Sequence, residues 1–129
     1  MSRVYIPQVP MRFDAQAGQL VPKFDTLRQA QEFGELVVLI DQPMALAGRN
    51  ECVDKIVTGL RDYGDGDFFL PMGSHFFMMI AAICISNKVD RIHILEWNQR
   101  DQQYRRTEQK VLPLRMAQGI TIQNRSIRR

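Results

Sequence analysis

The sequence predicts a small α/β domain with three parallel strands, two crossover helices, an antiparallel edge strand and an extended N-terminal arm. Residues 35–41 and 68–70 are short apolar runs without alternation, which is typical of parallel strands covered on both faces. Segments with helical spacing separate the runs, and this order is typical of right-handed crossovers between strands of one sheet. We therefore expect two or three layers around one sheet.

The composition limits the classes of protein to which the chain can belong. At 129 residues, with 45% hydrophobic and 24% charged residues, it has the size and composition of one globular domain rather than of a disordered chain. The longest apolar run is residues 76–85, which is too short for a membrane span of about 20 residues. Residues 1–7 lack the apolar segment of a signal peptide, so we expect a cytoplasmic protein with no membrane partner.

The chain divides into an arm with a short helix (1–34), an α/β domain (35–112) and a basic tail (113–129). Prolines exclude helix from the first part of the arm, and residues 11–13 are predicted to pair with residues 20–21 across a turn. The arm is rich in apolar side chains, so we expect it to pack on the domain or on a neighbouring molecule. Within the domain the predicted elements are a strand at 35–41, a helix at 51–63, a strand at 68–70, a helix from Ser74, a strand at 91–97 and an edge strand at 104–112.

The helix that begins at Ser74 is apolar on every side between Phe76 and Ile85. A helix of this kind must be covered all round, and one face of a small sheet covers only part of it. Either the N-terminal arm and the short helix cover the remainder, or a second copy of the protein does. The sequence favours the second copy, and therefore a homodimer.

The carboxyl ends of the predicted parallel strands are the first candidate site, because open α/β sheets bind ligands there. The turn before the second long helix offers backbone N–H groups that favour an anion. The same turn is also explained by structure alone, with Gly73 for the turn and Ser74 for the helix cap. The residues predicted to converge on a small anionic ligand or nucleotide are Asp41, Arg49, Asn50, Gly73, Ser74 and His75.

The sequence does not favour catalysis or a metal site. His75 is the candidate acid–base group, but its neighbour Ser74 is not placed as a nucleophile for it, since a base normally reaches its nucleophile from elsewhere in the chain. Two histidines and two cysteines without paired spacing do not predict zinc binding. We expect no cofactor and no metal, and a protein that is not an enzyme.

Positive charge is concentrated towards the C-terminus. The net charge is +3 overall, but residues 98–129 contain eight Lys/Arg and two acidic residues. This asymmetry favours an anionic partner, such as nucleic acid bound through its phosphates; the alternative is a charged edge strand that resists aggregation. The residues predicted to contact nucleic acid or another partner are Trp97, Tyr104, Arg105, Arg106, Lys110, Arg115, Arg125, Arg128 and Arg129.

Four phrases resemble small accessory proteins of tailed bacteriophages, especially marine ones. They are RVYIPQVPMRFD, FGELVVLI, GDFFLPMG and ILEWNQRDQQY. The resemblance covers roughly residues 3–112 and implies a phage product in the host cytoplasm or on the virion, with no assigned activity to transfer. Relatives are expected to have Gly-Asp-Pro where this chain has Gly73-Ser74-His75, and this departure weakens a catalytic role for the turn.

Three functions are therefore predicted. The first is a non-enzymatic interaction protein, dimeric, that docks on a host or phage macromolecule through its basic C-terminal quarter. The second is a domain that binds a small anionic ligand or nucleotide at the strand ends. The third is a structural virion or assembly component in which the arm and the tail connect subunits.

Overall fold

The structure confirms the α/β fold class. The computed structural model describes residues 2–23, 25–41 and 48–111. The strands of this part are β1 (Arg3–Gln8), β2 (Met11–Asp14), β3 (Gln19–Pro22), β4 (Glu35–Ile40), β5 (Phe68–Phe69), β6 (Arg91–Asn98) and β7 (Gln103–Lys110). The helices are α1 (Leu27–Ala30), a 3-10 turn (Gln31–Phe33), α2 (Arg49–Gly59) and α3 (His75–Ser86).

The main sheet has five strands in the order β4-β1-β5-β6-β7. The first four of these are parallel neighbours, and β7 returns antiparallel to β6 as the predicted edge strand. Strands β2 and β3 form a separate antiparallel hairpin in which Phe13 lies opposite Leu20. The hairpin leaves the sheet at the carboxyl end of β1 and returns the chain to α1.

The N-terminal segment is a strand inside the sheet, so there are four parallel strands rather than the predicted three. Strand β1 lies between β4 and β5, and its residues Val4, Tyr5 and Ile6 are fully buried. A position between two strands buries both faces of β1, which explains why these three side chains are all large and apolar. The sequence did not predict this strand because the segment contains proline, which is uncommon in central strands.

Pro7 also accounts for the short length of β5. On the β5 side, the N–H of Leu70 donates to the carbonyl of Tyr5 at 2.9 Å. The next donor in a parallel ladder would be the N–H of residue 7, which proline lacks. Regular pairing therefore ends at Phe69, and a single bond from the Gln8 N–H to the Met72 carbonyl (3.3 Å) holds the chain beyond it.

The two faces of the sheet are covered by different elements. Helices α2 and α3 pack on one face, which we call the long-helix face, around a core formed by Tyr5, Cys52, Ile56, Leu60, Phe69, Phe77, Ala81, Ile85 and Ile92. Helix α1 and the 3-10 turn pack on the other, the short-helix face, against Val4, Ile6, Phe68, Leu95 and Tyr104. This division follows from handedness, because right-handed crossovers that run in opposite directions along a sheet lie on opposite faces.

Helix α3 buries one side and exposes the other. Phe77, Ala81 and Ile85 are fully buried against the sheet and α2, whereas Phe76, Met79 and Ile83 are 39%, 64% and 58% exposed. The N-terminal segment and α1 do not cover this outward side, because β1 lies within the sheet and α1 packs on the short-helix face. We call Phe76, Met79 and Ile83 the α3 stripe.

Candidate functional site

The carboxyl ends of β1 and β5 bound the topological switch point of the sheet. The connection that follows β1 runs to β4 on one side, and the connection that follows β5 runs to β6 on the other side. Connections therefore diverge between these two neighbouring strands, and a crevice opens where they separate. In open α/β sheets, ligands bind at this position.

Gly73 and Gln8 are in close contact at the switch point. Gly73 has a φ of 105°, and a Cβ at this position would lie 2.6 Å from the Gln8 Cβ and 2.8 Å from the Gln8 carbonyl oxygen. Only glycine combines this backbone with so close an approach. The N–H of Ser74 donates to the Gln8 side-chain oxygen at 3.2 Å, so this N–H, predicted for an anion, has a protein acceptor.

A cavity of about 910 Å³ opens on the β4 side of the switch point. One wall of the cavity is formed by the β2–β3 hairpin. The hairpin contributes Met11, Leu20 and Pro22, whose side chains lie on the same face of the two strands. Val38 and Ile40 of β4 form part of the opposite wall. Its polar lining comes from Gln8, Lys23, Asp41, Gly73 and Ser74.

Three of the residues predicted for a ligand therefore lie around one cavity. They are Asp41, Gly73 and Ser74. The Asp41 carboxylate accepts a hydrogen bond from Lys55 Nζ at 3.2 Å, and this ammonium group holds the pKa of Asp41 below its usual value. Asp41 is thus ionised and paired with Lys55 of α2.

The other three predicted residues lie at the starts of the long helices. Arg49 is the first residue of α2, and its guanidinium carbon lies 4.7 Å from the centre of the Phe76 ring. Asn50 follows it and is exposed. His75 is the first residue of α3 and is also exposed. Arg49 therefore contacts the α3 stripe, a placement that the ligand hypothesis did not anticipate.

A second cavity, of about 700 Å³, opens on the β6 side of the switch point. It shares Pro10, Lys23 and Gly73 with the first cavity, so the two lie side by side along the carboxyl edge. Apolar side chains of β5, β6 and the following loop line its interior. They are Leu70, Met72 and Leu95.

Trp97 and Tyr104 form the aromatic wall of the second cavity. They are paired across β6 and β7, with ring centres 5.0 Å apart and planes at 72°. The Tyr104 hydroxyl donates to Thr26 Oγ1 at 3.2 Å, and burial raises the pKa of Tyr104. Tyr104 is therefore a buried support for Trp97 rather than an exposed surface for stacking along a nucleic-acid strand.

The basic residues predicted on the edge strand are exposed. Arg105 lies opposite Glu96, whereas Arg106 lies opposite Leu95 on the other face of the sheet. Lys110 ends the strand, near an ion pair of 3.0 Å between Arg91 and Glu108. The four predicted arginines of the tail lie outside the described residues: Arg115, Arg125, Arg128 and Arg129.

The described part of the chain has neither a metal-binding cluster nor a helix that could span a membrane. Among residues 2–23, 25–41 and 48–111, no group of three His, Cys, Asp or Glu side chains is placed to hold a metal ion. In the same part of the chain, the helices are too short or too polar to cross a bilayer. The carboxylate of Asp67, in the turn between α2 and β5, accepts hydrogen bonds from the N–H groups of Arg3 and Gly64, both at 3.0 Å. Asp67 therefore has a structural role in this turn.

Several lining residues were not predicted from the sequence. Gln8 was missed because β1 was not recognised as a strand, so its carboxyl end was not considered. Thr26, Gln99 and Gln102 reach the second cavity from loops, and loops carry no periodicity from which a side-chain direction can be predicted. A paired aromatic position at the end of a hairpin, Trp97 opposite Tyr104, was the available signal.

The comparison with family models identifies the chain's relatives. The model of the phage Pam3 gp32-like protein family matches residues 2–111. The chain belongs to this family. The resemblance to phage accessory proteins of unassigned activity is thereby confirmed. The matched range, residues 2–111, contains the residues of both cavities and of the α3 stripe. Searches of curated proteins and of solved structures give no match.

Proposed function

We propose that this phage protein is a non-enzymatic interaction protein that acts as a homodimer. The α3 stripe is the observation that carries the proposal, because contiguous exposed apolar side chains on a small soluble protein mark an interaction surface. No residue between His75 and Ser86 carries a formal charge. A partner for this surface must itself be apolar, and a second α3 meets that requirement.

The dimer brings two α3 helices together about a two-fold axis, so that the stripe of one copy packs on the stripe of the other. Val57 of the neighbouring helix α2 is 52% exposed and extends the apolar surface. Arg49, held over Phe76, lies at one end of the stripe and contributes the polar rim that such interfaces usually have.

The oligomeric state of the full chain tests this proposal. Light scattering after gel filtration is expected to give twice the chain mass for the natural sequence, and the mass of one chain for Met79→Glu. Thr58→Glu, an exposed change on α2, is the matched control and should remain dimeric. A natural chain that stays monomeric at high micromolar concentration would show that the stripe has another occupant.

The proposed partner of the dimer is an anionic host or phage macromolecule that docks along β7. This strand is the outer strand of the sheet, and Arg105, Arg106 and Lys110 are exposed on it. Nucleic acid is the polyanion to test first, because these three cations are spaced along an extended strand. The protein would act in the host cytoplasm or on the virion, and mass spectrometry of purified particles distinguishes these locations.

Fluorescence anisotropy with a generic DNA duplex measures this binding. Affinity is expected to fall steeply with salt, and the slope of log affinity against log salt should become shallower by about 0.9 for each phosphate contact removed. The variant to compare is Arg105→Ala with Arg106→Ala and Lys110→Ala, and the control is Arg61→Ala, an exposed arginine that follows α2. Equal binding by both variants would remove β7 from the proposal.

A second candidate function is the binding of a small ligand at the carboxyl edge. The position of the two cavities at the switch point favours it, since such crevices are the usual ligand sites of open α/β sheets. Thermal unfolding in the presence of inorganic phosphate and of nucleotides tests this function. A stabilisation that His75→Ala and Arg49→Ala both leave intact would exclude the helix starts from the site.

A further inference from the structure

The second cavity has the shape and lining of a site for a flat ligand. Its interior is apolar through Leu70, Met72 and Leu95, and Trp97 stands at its wall. Its volume of about 700 Å³ falls within the range of small-molecule sites. Its polar lining includes Gln99 and Gln102, which are both exposed, as expected where a ligand buries a ring and directs one polar edge outward.

Hydrogen bonds and packing fix the orientation of the Trp97 ring. The indole Nε1–H donates to the side-chain oxygen of Gln99 at 3.0 Å. On its other side the ring packs at 5.0 Å against Tyr104, which is itself bonded to Thr26. An aromatic ring held in this way loses little conformational entropy when a ligand stacks on it, which favours binding.

The backbone at Gln102 is strained, and its side chain completes the rim. Within the described residues, Gln102 is the one non-glycine with a left-handed backbone, at φ 54°. Its side-chain nitrogen donates to the carbonyl of Gln99 at 2.7 Å, so it fixes the same loop that orients Trp97. Glycine would fit this turn at lower cost, and strained residues of this kind concentrate at ligand sites.

The chemistry of the rim selects among flat ligands. The carboxamides of Gln99 and Gln102 offer both donors and acceptors, which suits the edge of a heterocyclic base. Lys23 and Asp25 contribute one charge of each sign to the lining, and the Glu96 side chain alternates to the other face of β6. The lining therefore has no net positive charge to hold a phosphate.

We propose that the second cavity binds a nucleobase or nucleoside, stacked on Trp97, with its polar edge towards Gln99 and Gln102. Base–aromatic stacking contributes about 1–3 kcal/mol in other proteins. This inference rests on the second candidate function, because it names the ligand class for one half of the carboxyl edge. It does not depend on the homodimer.

Tryptophan fluorescence of the full chain tests the proposal directly, because Trp97 is the single tryptophan of the sequence. Adenosine, guanosine, cytidine and uridine are titrated separately, and each 5′-monophosphate is titrated beside its nucleoside. Saturable quenching by at least one nucleoside, with no tighter binding of its monophosphate, is the expected result. Absence of saturable quenching with all four nucleosides would overturn the proposal.

Gln102→Gly separates a ligand role from a structural one. This variant relieves the strained backbone, so its urea midpoint should equal or exceed that of the natural protein, while nucleoside affinity should fall about tenfold. Gln109→Ala, an exposed glutamine at the far end of the same hairpin, should change neither. Unchanged affinity in Gln102→Gly would contradict the assignment of the rim.

The experiment also distinguishes this inference from the function on which it rests. Thermal stabilisation by a nucleotide without any change in Trp97 fluorescence would place the ligand in the first cavity. That outcome would reject the nucleoside site and leave ligand binding at the carboxyl edge in place. Neither stabilisation nor quenching by any of these compounds would reject both.

Discussion

The long-helix face and the short-helix face of one sheet differ in how much apolar surface covers them. On the first, α2 and α3 supply more apolar side chains than the sheet can bury, and the α3 stripe remains exposed. On the second, the four residues of α1 and a 3-10 turn leave the carboxyl ends uncovered, and the hairpin spans part of the gap. Surplus apolar surface on one face therefore accompanies open cavities at the carboxyl edge of the sheet.

This difference assigns a separate role to each face. Exposed apolar surface that no segment of the described chain covers is suited to a second protein, whereas concave space at strand ends is suited to a small molecule. The proposed dimer and the proposed nucleoside site are consequently independent, and a variant on one face should leave the activity of the other unchanged. Core and loop substitutions can test how far the two faces differ.

The largest expected effect is on the long-helix face, at Phe77. Phe77→Ala removes a fully buried ring from the centre of that core and should lower the free energy of unfolding by about 3–5 kcal/mol. Urea denaturation followed by circular dichroism measures this loss. Met79→Ala, two positions along the same helix, should lower it much less in a monomeric background, because its side chain is already solvated.

That background is provided by Ile83→Glu, another change in the stripe. If Met79→Ala destabilises the Ile83→Glu monomer as much as Phe77→Ala does, the two sides of α3 do not differ in burial. The distinction between a buried and an exposed side would then fail.

A smaller effect is expected at the junction of the two faces, at Gly73. Gly73→Ala places a methyl group against the Gln8 side chain and carbonyl in a left-handed backbone and should cost about 3 kcal/mol. Gly66→Ala is the matched control, since its φ is 91° but nothing lies within 4 Å of the added carbon. It should cost about 1 kcal/mol. Equal losses would mean that the contact with Gln8 adds nothing.

The smallest effect concerns one tyrosine on each face at alkaline pH. Burial, with the Asp67 carboxylate nearby, raises the pKa of Tyr63 well above its usual value, and burial also raises that of Tyr104. Unfolded tyrosine ionises at about pH 10. Stability that depends on the neutral phenol is therefore complete below that pH and is lost as the pH rises towards the folded-state pKa.

The difference between the urea midpoints at pH 8 and at pH 10.5 should thus be smaller in Tyr63→Phe than in Tyr104→Phe. The hydrogen bond with Thr26 lowers the pKa of Tyr104 and offsets part of the effect of burial, whereas Tyr63 donates to the Asp67 carbonyl at 3.2 Å. An alkaline loss that is unchanged in Tyr63→Phe would show that another group controls it.

Much of the fold was predictable because periodicity reports burial. Continuous apolar runs identified β4 and β5, residues 91–97 were predicted as the strand that is β6, and the antiparallel return of β7 followed from the polar turn before it. Strand β1 was missed because it contains Pro7, and proline is uncommon in central strands. In this sheet the regular pairing with β5 ends at Pro7, so the missing N–H is tolerated there. The homodimer remains a prediction, as does the division of the chain at residues 34 and 112.

The candidate site was less predictable, because its residues depend on which strands are neighbours. Asp41, Gly73 and Ser74 were placed at strand ends correctly, yet Gln8 makes the contact that shapes the turn, and its position follows only from β1 lying beside β5. The strain at Gln102 depends on a backbone angle that a glutamine in the sequence does not indicate. Trp97 was selected for stacking on a polynucleotide, and the structure places it in the lining of the second cavity.

The central position of β1 has a consequence for synthesis on the ribosome. Its partner β4 is translated only after the hairpin and α1, and its partner β5 only after α2, so the residues that become the middle of the sheet are synthesised before both of their neighbours. Until Phe69 leaves the exit tunnel, the apolar side chains of Val4, Tyr5 and Ile6 are exposed and prone to non-specific association. Nascent chains should accordingly remain protease-sensitive through most of translation and become resistant in one late step.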